Sequence, residues 1–135
     1  MIRVRDLDAA LAFWSGLLGL REVRRRESEA GRYTLVFLNT GFEGDRAEVQ
    51  LCYNWDQKEL YPTGRFFGHI AFEVEDLYAI CDRMLAAGVH IMRPPRDGHL
   101  AFVKAPDGQS VELLQRDQDL PPREPWQSMP NNGEW

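Results

Sequence analysis

The sequence predicts an α+β protein built from two copies of one small βαβββ module. Residues 4–9 (VRDLDA) recur at 74–79 (VEDLYA), and residues 48–51 (EVQL) recur at 110–113 (SVEL), with offsets of 70 and 62 residues. In both copies the first segment runs into an apolar helical pattern that ends at a glycine, Gly19 or Gly88. The repeat therefore predicts two modules related by pseudo-two-fold symmetry.

The first module, at residues 1–55, begins with a short strand and continues as an amphipathic helix. Asp6 is placed to cap this helix, and apolar residues follow at helical spacing: Leu7, Ala10, Leu11, Trp14 and Leu18. Three β-rich segments bounded by glycine-containing turns then predict strands at 20–23, 33–38 and 48–53. The run Arg24, Arg25 and Arg26 is followed by Glu27 and Glu29, which indicates a solvated edge with locally balanced charges.

The second module, at residues 67–115, repeats this order. Asp76 is the predicted N-cap, and one helical face is formed by Leu77, Ile80, Cys81, Met84 and Leu85. Further strands are predicted around Ile91, at 100–103 and at 110–115. His90 and His99 fit turns, and His99 is the better candidate for a position beside a substrate.

A polar connector at 56–66 separates the modules, and a tail at 116–135 follows them. The tail is rich in Asp, Gln, Pro and Asn, so we expect an extended conformation. Its Trp126, Met129 and Trp135 indicate that it lies against a surface.

Composition and charge narrow the function classes. The 135-residue chain is 44% hydrophobic, which suits one compact domain or two small modules. Its net charge of −5 argues against a nucleic-acid surface, which needs a basic face. Apolar runs are too short for a signal peptide or a membrane span, and Cys52 and Cys81 fit free thiols. We therefore expect a cytoplasmic protein that binds neither nucleic acid nor membrane.

A polar residue stands between apolar neighbours in the last strand of each module. These residues, Gln50 and Glu112, are counterparts by the 62-residue offset, and His69 follows Gly68 at the start of the second module. An imidazole, a carboxylate and an amide oxygen suit a divalent ion such as Zn²⁺ or Ni²⁺, although residue types alone favour a core histidine and an edge glutamate. By the 70-residue offset, the counterpart of His69 falls before Met1, so we expect the natural start to lie upstream.

Four segments of the chain resemble the glyoxalase I (lactoylglutathione lyase) family of the vicinal oxygen chelate superfamily in order and spacing. They are residues 52–55 (CYNW), 67–70 (FGHI), 101–108 (AFVKAPDG) and 111–113 (VEL), and the likeness covers residues 1–115. The tail segment 124–131 (EPWQSMPN) is similar to that of bacterial members. The resemblance implies paired βαβββ modules, a homodimer with metal sites at the subunit interface, and isomerisation of the methylglyoxal–glutathione hemithioacetal to S-lactoylglutathione.

Residue by residue, the resemblance implies a divalent metal, Zn or Ni, held by His69, Glu112 and Gln50, with the fourth ligand before Met1. Gln50 replaces the family's usual glutamate, so Glu112 alone could serve as the catalytic base among these three side chains. Glutathione, which forms part of the substrate, would be held by four residues that match family positions: Arg3, Asn54, Arg65 and Arg93. Met92, Leu100 and Phe102 suit either the apolar end of the pocket or the core.

Two other functions stay open at this point. Gln50 and a shortened N-terminus would impair the lyase, and one alternative is a catalytically weak or inactive protein that binds glutathione conjugates. The other is a different chemistry of the superfamily, such as an epimerase or a dioxygenase, which the arginines matching glutathione contacts disfavour.

Overall fold

The computed structural model describes residues 1–133 and divides the chain into two compact units, Met1–Pro62 and Thr63–Trp135. The division falls within the segment predicted as the connector. Each unit contains one four-stranded mixed sheet and a helical segment in βαβββ order, which confirms the predicted α+β class. Trp135, one of the three apolar tail residues noted above, lies outside the described residues.

The first unit contains β1 (Ile2–Val4), α1 (Leu7–Leu11), β2 (Arg21–Ser28), β3 (Tyr33–Asn39) and β4 (Val49–Asn54). The strand order is β1-β4-β3-β2, with β1 parallel to β4 and the other pairs antiparallel. Asp6 caps α1 as predicted, because its Oδ1 accepts a hydrogen bond from the backbone N–H of Ala9 at 3.0 Å.

The predicted continuous α-helix of the first unit is wrong beyond Leu11. From Ala12 to Leu17 the chain forms a π-helical segment, and Leu18 N donates to Phe13 O five residues earlier. Gly16 lies within this segment, and glycine weakens a regular α-helix by up to about 1 kcal/mol relative to alanine. Phe13 and Trp14 are both buried and pack edge to face.

Strand β2 is twice as long as the predicted segment. It is exposed along nearly its whole length and forms one edge of its sheet, so it lacks the apolar alternation that marks a half-buried strand. The arginine run lies here, as predicted for a solvated edge, but its charges are balanced by other partners than Glu27 and Glu29. Arg25 pairs with Glu22, and Arg24 pairs with Glu48.

The second unit contains β5 (His69–Val74), α2 (Leu77–Ala86), β6 (Ile91–Arg93), β7 (Leu100–Lys104) and β8 (Ser110–Gln115). The strand order β5-β8-β7-β6 repeats the topology of the first sheet. Asp76 Oδ1 accepts from Ala79 N at 2.9 Å, and Gly88 takes a positive φ of 79° just beyond the helix. The predicted cap and stop are both confirmed.

Strand register in the two sheets reproduces the offsets read from the sequence. Val4 pairs with Tyr53 in the first sheet, and Val74 pairs with Gln115 in the second. These pairs differ by the same 70 and 62 residues that relate the repeated segments. Gln50 and Glu112 therefore occupy equivalent positions in the two sheets.

Each sheet has one buried face and one more open face. In β8 the side chains of Val111 and Leu113 are fully buried, whereas Glu112 between them lies on the opposite face. In β3, Val36 and Leu38 are fully buried, and Phe37 between them lies on the less buried face. We call the face that carries Glu112 or Phe37 the open face of its sheet.

The tail packs against its own unit. Trp126 is fully buried, and its Nε1–H donates to Asp82 Oδ1 on α2 at 2.9 Å. Arg123 donates to the other oxygen of Asp82 at 2.7 Å, and Met129 is half-buried. The prediction that the tail lies against a surface is confirmed for Trp126 and Met129.

Both cysteines are free and buried, as predicted. Burial raises the pKa of the Cys81 thiol to about 12, so this thiol stays protonated near neutral pH. Within residues 1–133, none of the helices has the length and apolar character needed to cross a membrane.

Candidate functional site

The open face of the second sheet brings His69 and Glu112 together. His69 is the first residue of β5, and Glu112 lies on the adjacent strand β8, paired with Ala71. The Nε2 of His69 is 3.1 Å from Oε2 of Glu112. The histidine side chain is 43% exposed and the glutamate 16%, so an imidazole nitrogen and a carboxylate oxygen converge at a solvent-accessible position.

Phe102 supports this pair from the neighbouring strand. It pairs with Glu112 across β7 and β8, and its ring meets the His69 ring edge to face at a centroid distance of 5.2 Å. Phe102 is only 6% exposed. The sequence suggested either a core or a pocket position for Phe102; the structure buries it and packs its ring edge to face against the histidine.

Arg93 ends β6 and continues the same row of side chains across the sheet. Arg93 pairs with Phe102, which pairs with Glu112, so we call these three residues the glutamate rung. Arg93 and Glu112 are two strand spacings apart, about 10 Å. The Arg93 guanidinium donates to Asp97 Oδ2 at 2.9 Å and to Leu100 O at 3.2 Å, which fixes its orientation.

Asp97 is held as a carboxylate by this arrangement. Partial burial favours the neutral form of Asp97, but the backbone N–H groups of His99 and Leu100 and the Arg93 guanidinium oppose it. The pKa of Asp97 is therefore lowered from its ordinary value, and the acceptor of Arg93 stays charged at neutral pH.

Gln50 occupies the equivalent position in the first sheet. It pairs with Phe37, and Phe37 pairs with Arg24, so these three residues form the glutamine rung. The order arginine, phenylalanine, then amide or carboxylate is the same in both rungs. Gln50 is half-buried on the open face, where it presents an amide in place of the carboxylate of Glu112.

Arg24 and Glu48 were not among the residues singled out for a site from the sequence. The Arg24 guanidinium lies 3.8 Å from the centre of the Phe37 ring and forms a two-pronged ion pair with Glu48. Glu48 immediately precedes β4 and stands two residues before Gln50. The signal that could have identified Arg24 is its position opposite Phe37, the counterpart of Arg93 opposite Phe102.

Two of the remaining predicted substrate contacts lie on neighbouring strands of the first unit, and the third lies in the second unit. Arg3 is exposed on β1 and pairs with Cys52. Asn54 ends β4, and its amide donates to Tyr61 Oη at 2.9 Å. Arg65 lies in an exposed turn of the second unit.

The donor set of the second unit fits part of a metal site. Within residues 1–133, no group of three or more His, Cys, Asp or Glu side chains converges as metal ligands do. His69 and Glu112 nevertheless offer the nitrogen and oxygen donors that Zn²⁺ or Ni²⁺ accepts. A complete metal site would need at least one more donor than these two.

Sequence comparison agrees with this geometry. Residues 1–113 match the family model described as the Glyoxalase/Bleomycin resistance protein/Dioxygenase superfamily. A probable lactoylglutathione lyase of Vibrio parahaemolyticus is 43% identical over 123 residues, which cover 87% of this chain and 88% of the relative. A lactoylglutathione lyase of Neisseria meningitidis is 39% identical over 121 residues, covering 86% and 87% of the two chains.

Structural comparison leads to the same group of proteins. Glyoxalase I of Leishmania major, described as trypanothione-dependent, matches with a TM-score of 0.78 at 37% identity, covering 85% of this chain and 82% of that one. The relatives are lyases, in agreement with the prediction of a lyase of the glyoxalase I type. The chain therefore belongs to the Glyoxalase/Bleomycin resistance protein/Dioxygenase superfamily and to its lactoylglutathione lyase branch.

Proposed function

We propose that this protein is a metal-dependent lactoylglutathione lyase that isomerises the methylglyoxal–glutathione hemithioacetal to S-lactoylglutathione and so detoxifies methylglyoxal. The observation that carries the proposal is the contact between His69 and Glu112 on an open sheet face. The similarity to relatives named lactoylglutathione lyase supports this choice of reaction. We expect the reaction to take place in the cytoplasm, where free thiols such as Cys52 and Cys81 are maintained.

The metal ligands we propose are His69, Glu112 and Gln50, with Zn²⁺ or Ni²⁺ as the ion. When bound, the metal would act as a Lewis acid that polarises the substrate oxygens and makes the adjacent C–H proton more acidic. Gln50 is a neutral ligand, so this set supplies one negative charge where two glutamates would supply two.

Glu112 is the proposed catalytic base. The isomerisation moves a proton from the carbon that bears sulfur to the neighbouring carbon, so one group near both carbons has to accept and return it. Glu112 can do this as a carboxylate, whereas the amide of Gln50 cannot take up a proton at neutral pH. Phe102 packs against His69 beside Glu112 and limits the positions these two side chains adopt.

The glutathione part of the substrate carries two carboxylates, and we assign their recognition to Arg3, Arg65 and Arg93, with Asn54 as an amide contact. Of the three arginines, Arg93 is the least exposed, and its guanidinium is held by Asp97 and Leu100 O. A charged group fixed in advance loses little conformational freedom on binding. Binding energy from this distant end would hold the short reactive end in place.

We further propose that the protein acts as a homodimer. Gln50 and Glu112 belong to different units of the chain, and each unit carries one polar position on the open face of its sheet. The buried Trp126 removes one argument for a dimer, because this tail aromatic is covered by its own unit. Light scattering should give twice the chain mass of 15.6 kDa, and a mass of one chain at micromolar concentration would contradict the proposal.

The lyase assay is the decisive experiment. The chain, loaded separately with Zn²⁺ and with Ni²⁺, should convert the hemithioacetal to S-lactoylglutathione, identified by mass spectrometry, and removal of the metal by a chelator should abolish the conversion. A metal-loaded chain that binds S-methylglutathione but forms no product would instead support a glutathione-conjugate binding protein.

A further inference from the structure

The loop that carries Arg93 is bound by the tail at its tip. We call residues 93–100 the Arg93 loop. Leu120 N donates to Gly98 O at 3.1 Å, and His99 Nδ1 lies 2.7 Å from Asp119 Oδ1. Two consecutive tail residues therefore hold two consecutive residues of the loop, one through the backbone and one through an ion pair.

Gly98 is the point of closest approach between the tail and the loop. Gly98 has a positive φ of 70°, and a Cβ built there would lie 1.9 Å from Leu120 O. A side chain at this position would require the tail backbone to move away. The absence of a side chain is therefore a requirement of the contact between Gly98 and Leu120.

The tail also contacts the middle of the loop and the residue that precedes it. Asn132 N donates to Met92 O at 2.8 Å, and Arg96 donates to Met129 O at 3.2 Å. Between these two sets of contacts the tail is anchored on α2 through Trp126 and Asp82. The tail is thus bonded to three residues of the loop that orients Arg93 and to the residue just before it.

We propose that Asp119 and His99 are positioning residues of the substrate site, which act by holding the Arg93 loop in the conformation that presents the Arg93 guanidinium to a substrate carboxylate. Asp97 links the two ends of this arrangement, because its Oδ1 accepts from His99 N at 3.0 Å and its Oδ2 accepts from Arg93. Displacement of His99 would thereby displace the carboxylate that orients Arg93. This inference rests on the proposed function, because Asp119 and His99 have this role only if Arg93 binds the substrate.

The ion pair between His99 and Asp119 depends on pH, because it requires a protonated histidine. The groups that face His99 are Asp119, Asp97 and Arg93. Asp119, through its hydrogen bond and its charge, and Asp97 raise the pKa of His99, whereas Arg93 lowers it by a smaller amount. A raised pKa means that the ion pair is fully formed below the ordinary histidine pKa of about 6.5 and is lost as the pH rises through the higher folded value.

The test uses Asp119→Asn and His99→Gln in the full-length, metal-loaded chain, with S-methylglutathione as the probe for calorimetry. Both variants should raise the Kd of the probe and the KM of the hemithioacetal about twofold to fivefold, the upper range for an exposed ion pair, with kcat unchanged. In the unsubstituted chain the Kd should be lowest below about pH 6.5 and should rise as the pH increases above that value, and this rise should be absent from His99→Gln. Glu22→Gln, which breaks the exposed pair with Arg25, is the matched control and should change neither constant.

A double-mutant cycle shows whether the effect passes through Arg93. In an Arg93→Ala background, Asp119→Asn should have no further effect on the Kd, whereas additive effects would overturn the inference. An Asp119→Asn chain whose Kd and KM equal those of the unsubstituted chain would also overturn it. Failure of the unsubstituted chain to bind the probe would overturn both this inference and the proposed function, whereas additivity with normal binding would overturn this inference alone.

Discussion

The glutamine rung and the glutamate rung have the same layout but hold their arginines differently. Arg24 is paired with Glu48, which immediately precedes β4, so its guanidinium already has a carboxylate partner. Arg93 is oriented by Asp97 and Leu100 O within its own loop, and that loop is held by the tail. The comparison teaches that two copies of one module have diverged in their charged groups while strand register was retained.

The largest expected difference between the rungs concerns proton transfer. Glu112→Gln turns the glutamate rung into a copy of the glutamine rung and leaves neither with a carboxylate at this position. We expect kcat/KM to fall by about 10²- to 10⁴-fold, the usual contribution of a positioned base. The measurement is the lyase rate at matched metal content, and a variant that retains more than about a tenth of the activity would rule out Glu112 as the base.

The tail distinguishes the second unit from the first, and Trp126 is its principal anchor. Trp126→Ala should lower the free energy of unfolding by about 3–5 kcal/mol, because it removes a fully buried aromatic side chain. Chemical denaturation measures this loss.

Trp126→Phe is the control, since it keeps most of the apolar contact and removes only the donor to Asp82. It should lower the free energy of unfolding by about 1 kcal/mol. Equal stability of the alanine variant and the unsubstituted chain would mean that the tail is not anchored there.

Alanine substitutions at Arg93 and Arg24 show how much each arginine contributes to substrate binding. Arg93→Ala should raise KM by about tenfold to hundredfold, because hydrogen bonds between charged groups contribute about 1.5–3 kcal/mol. Arg24→Ala should change KM by less than about threefold, since Arg24 is exposed and Glu48 already occupies its donors. Steady-state kinetics on both variants test this difference. A larger effect at Arg24 than at Arg93 would reverse the roles that we assign.

The smallest expected effect comes from making the glutamine rung resemble its counterpart. Gln50→Glu should raise kcat/KM on the order of tenfold, about 1.4 kcal/mol of transition-state stabilisation, by supplying a second carboxylate. The gain should be larger for one enantiomer of the hemithioacetal, because the two enantiomers present their C–H bond differently to any one base. Equal rates at equal metal content would show that Gln50 is already an adequate ligand and that the second carboxylate is unimportant.

Much of the fold was predictable because the repeated segments indicate the same order of strands and helix in both modules. The caps Asp6 and Asp76 and the final strand Ser110–Gln115 have strong local signals, namely a capping side chain before an apolar period or apolar residues around a polar position. The length of β2 and the π-helical segment have no such signal. An exposed edge strand shows no alternation, and a π-helical turn keeps an apolar pattern close to that of an α-helix.

The sequence pointed to His69 and Glu112 but not to the contacts around them. His69 and Glu112 were identified from strand position and family resemblance, and the structure brings them within 3.1 Å. The roles of Phe102, Arg24 and Glu48 depend on which residues stand opposite one another in neighbouring strands. Side-chain pairing of this kind is set by register, which residue spacing within one strand does not reveal.

The sequence by itself determined the module, its repetition and the polar positions Gln50, His69 and Glu112, because period, caps and offsets are local properties of the chain. Only the tertiary structure decided which groups hold the two arginines and where the tail binds. The contacts of Glu48 with Arg24 and of Asp119 with His99 join residues 24 and 20 positions apart. Such contacts form only after the sheets are assembled, since no local pattern brings those side chains together.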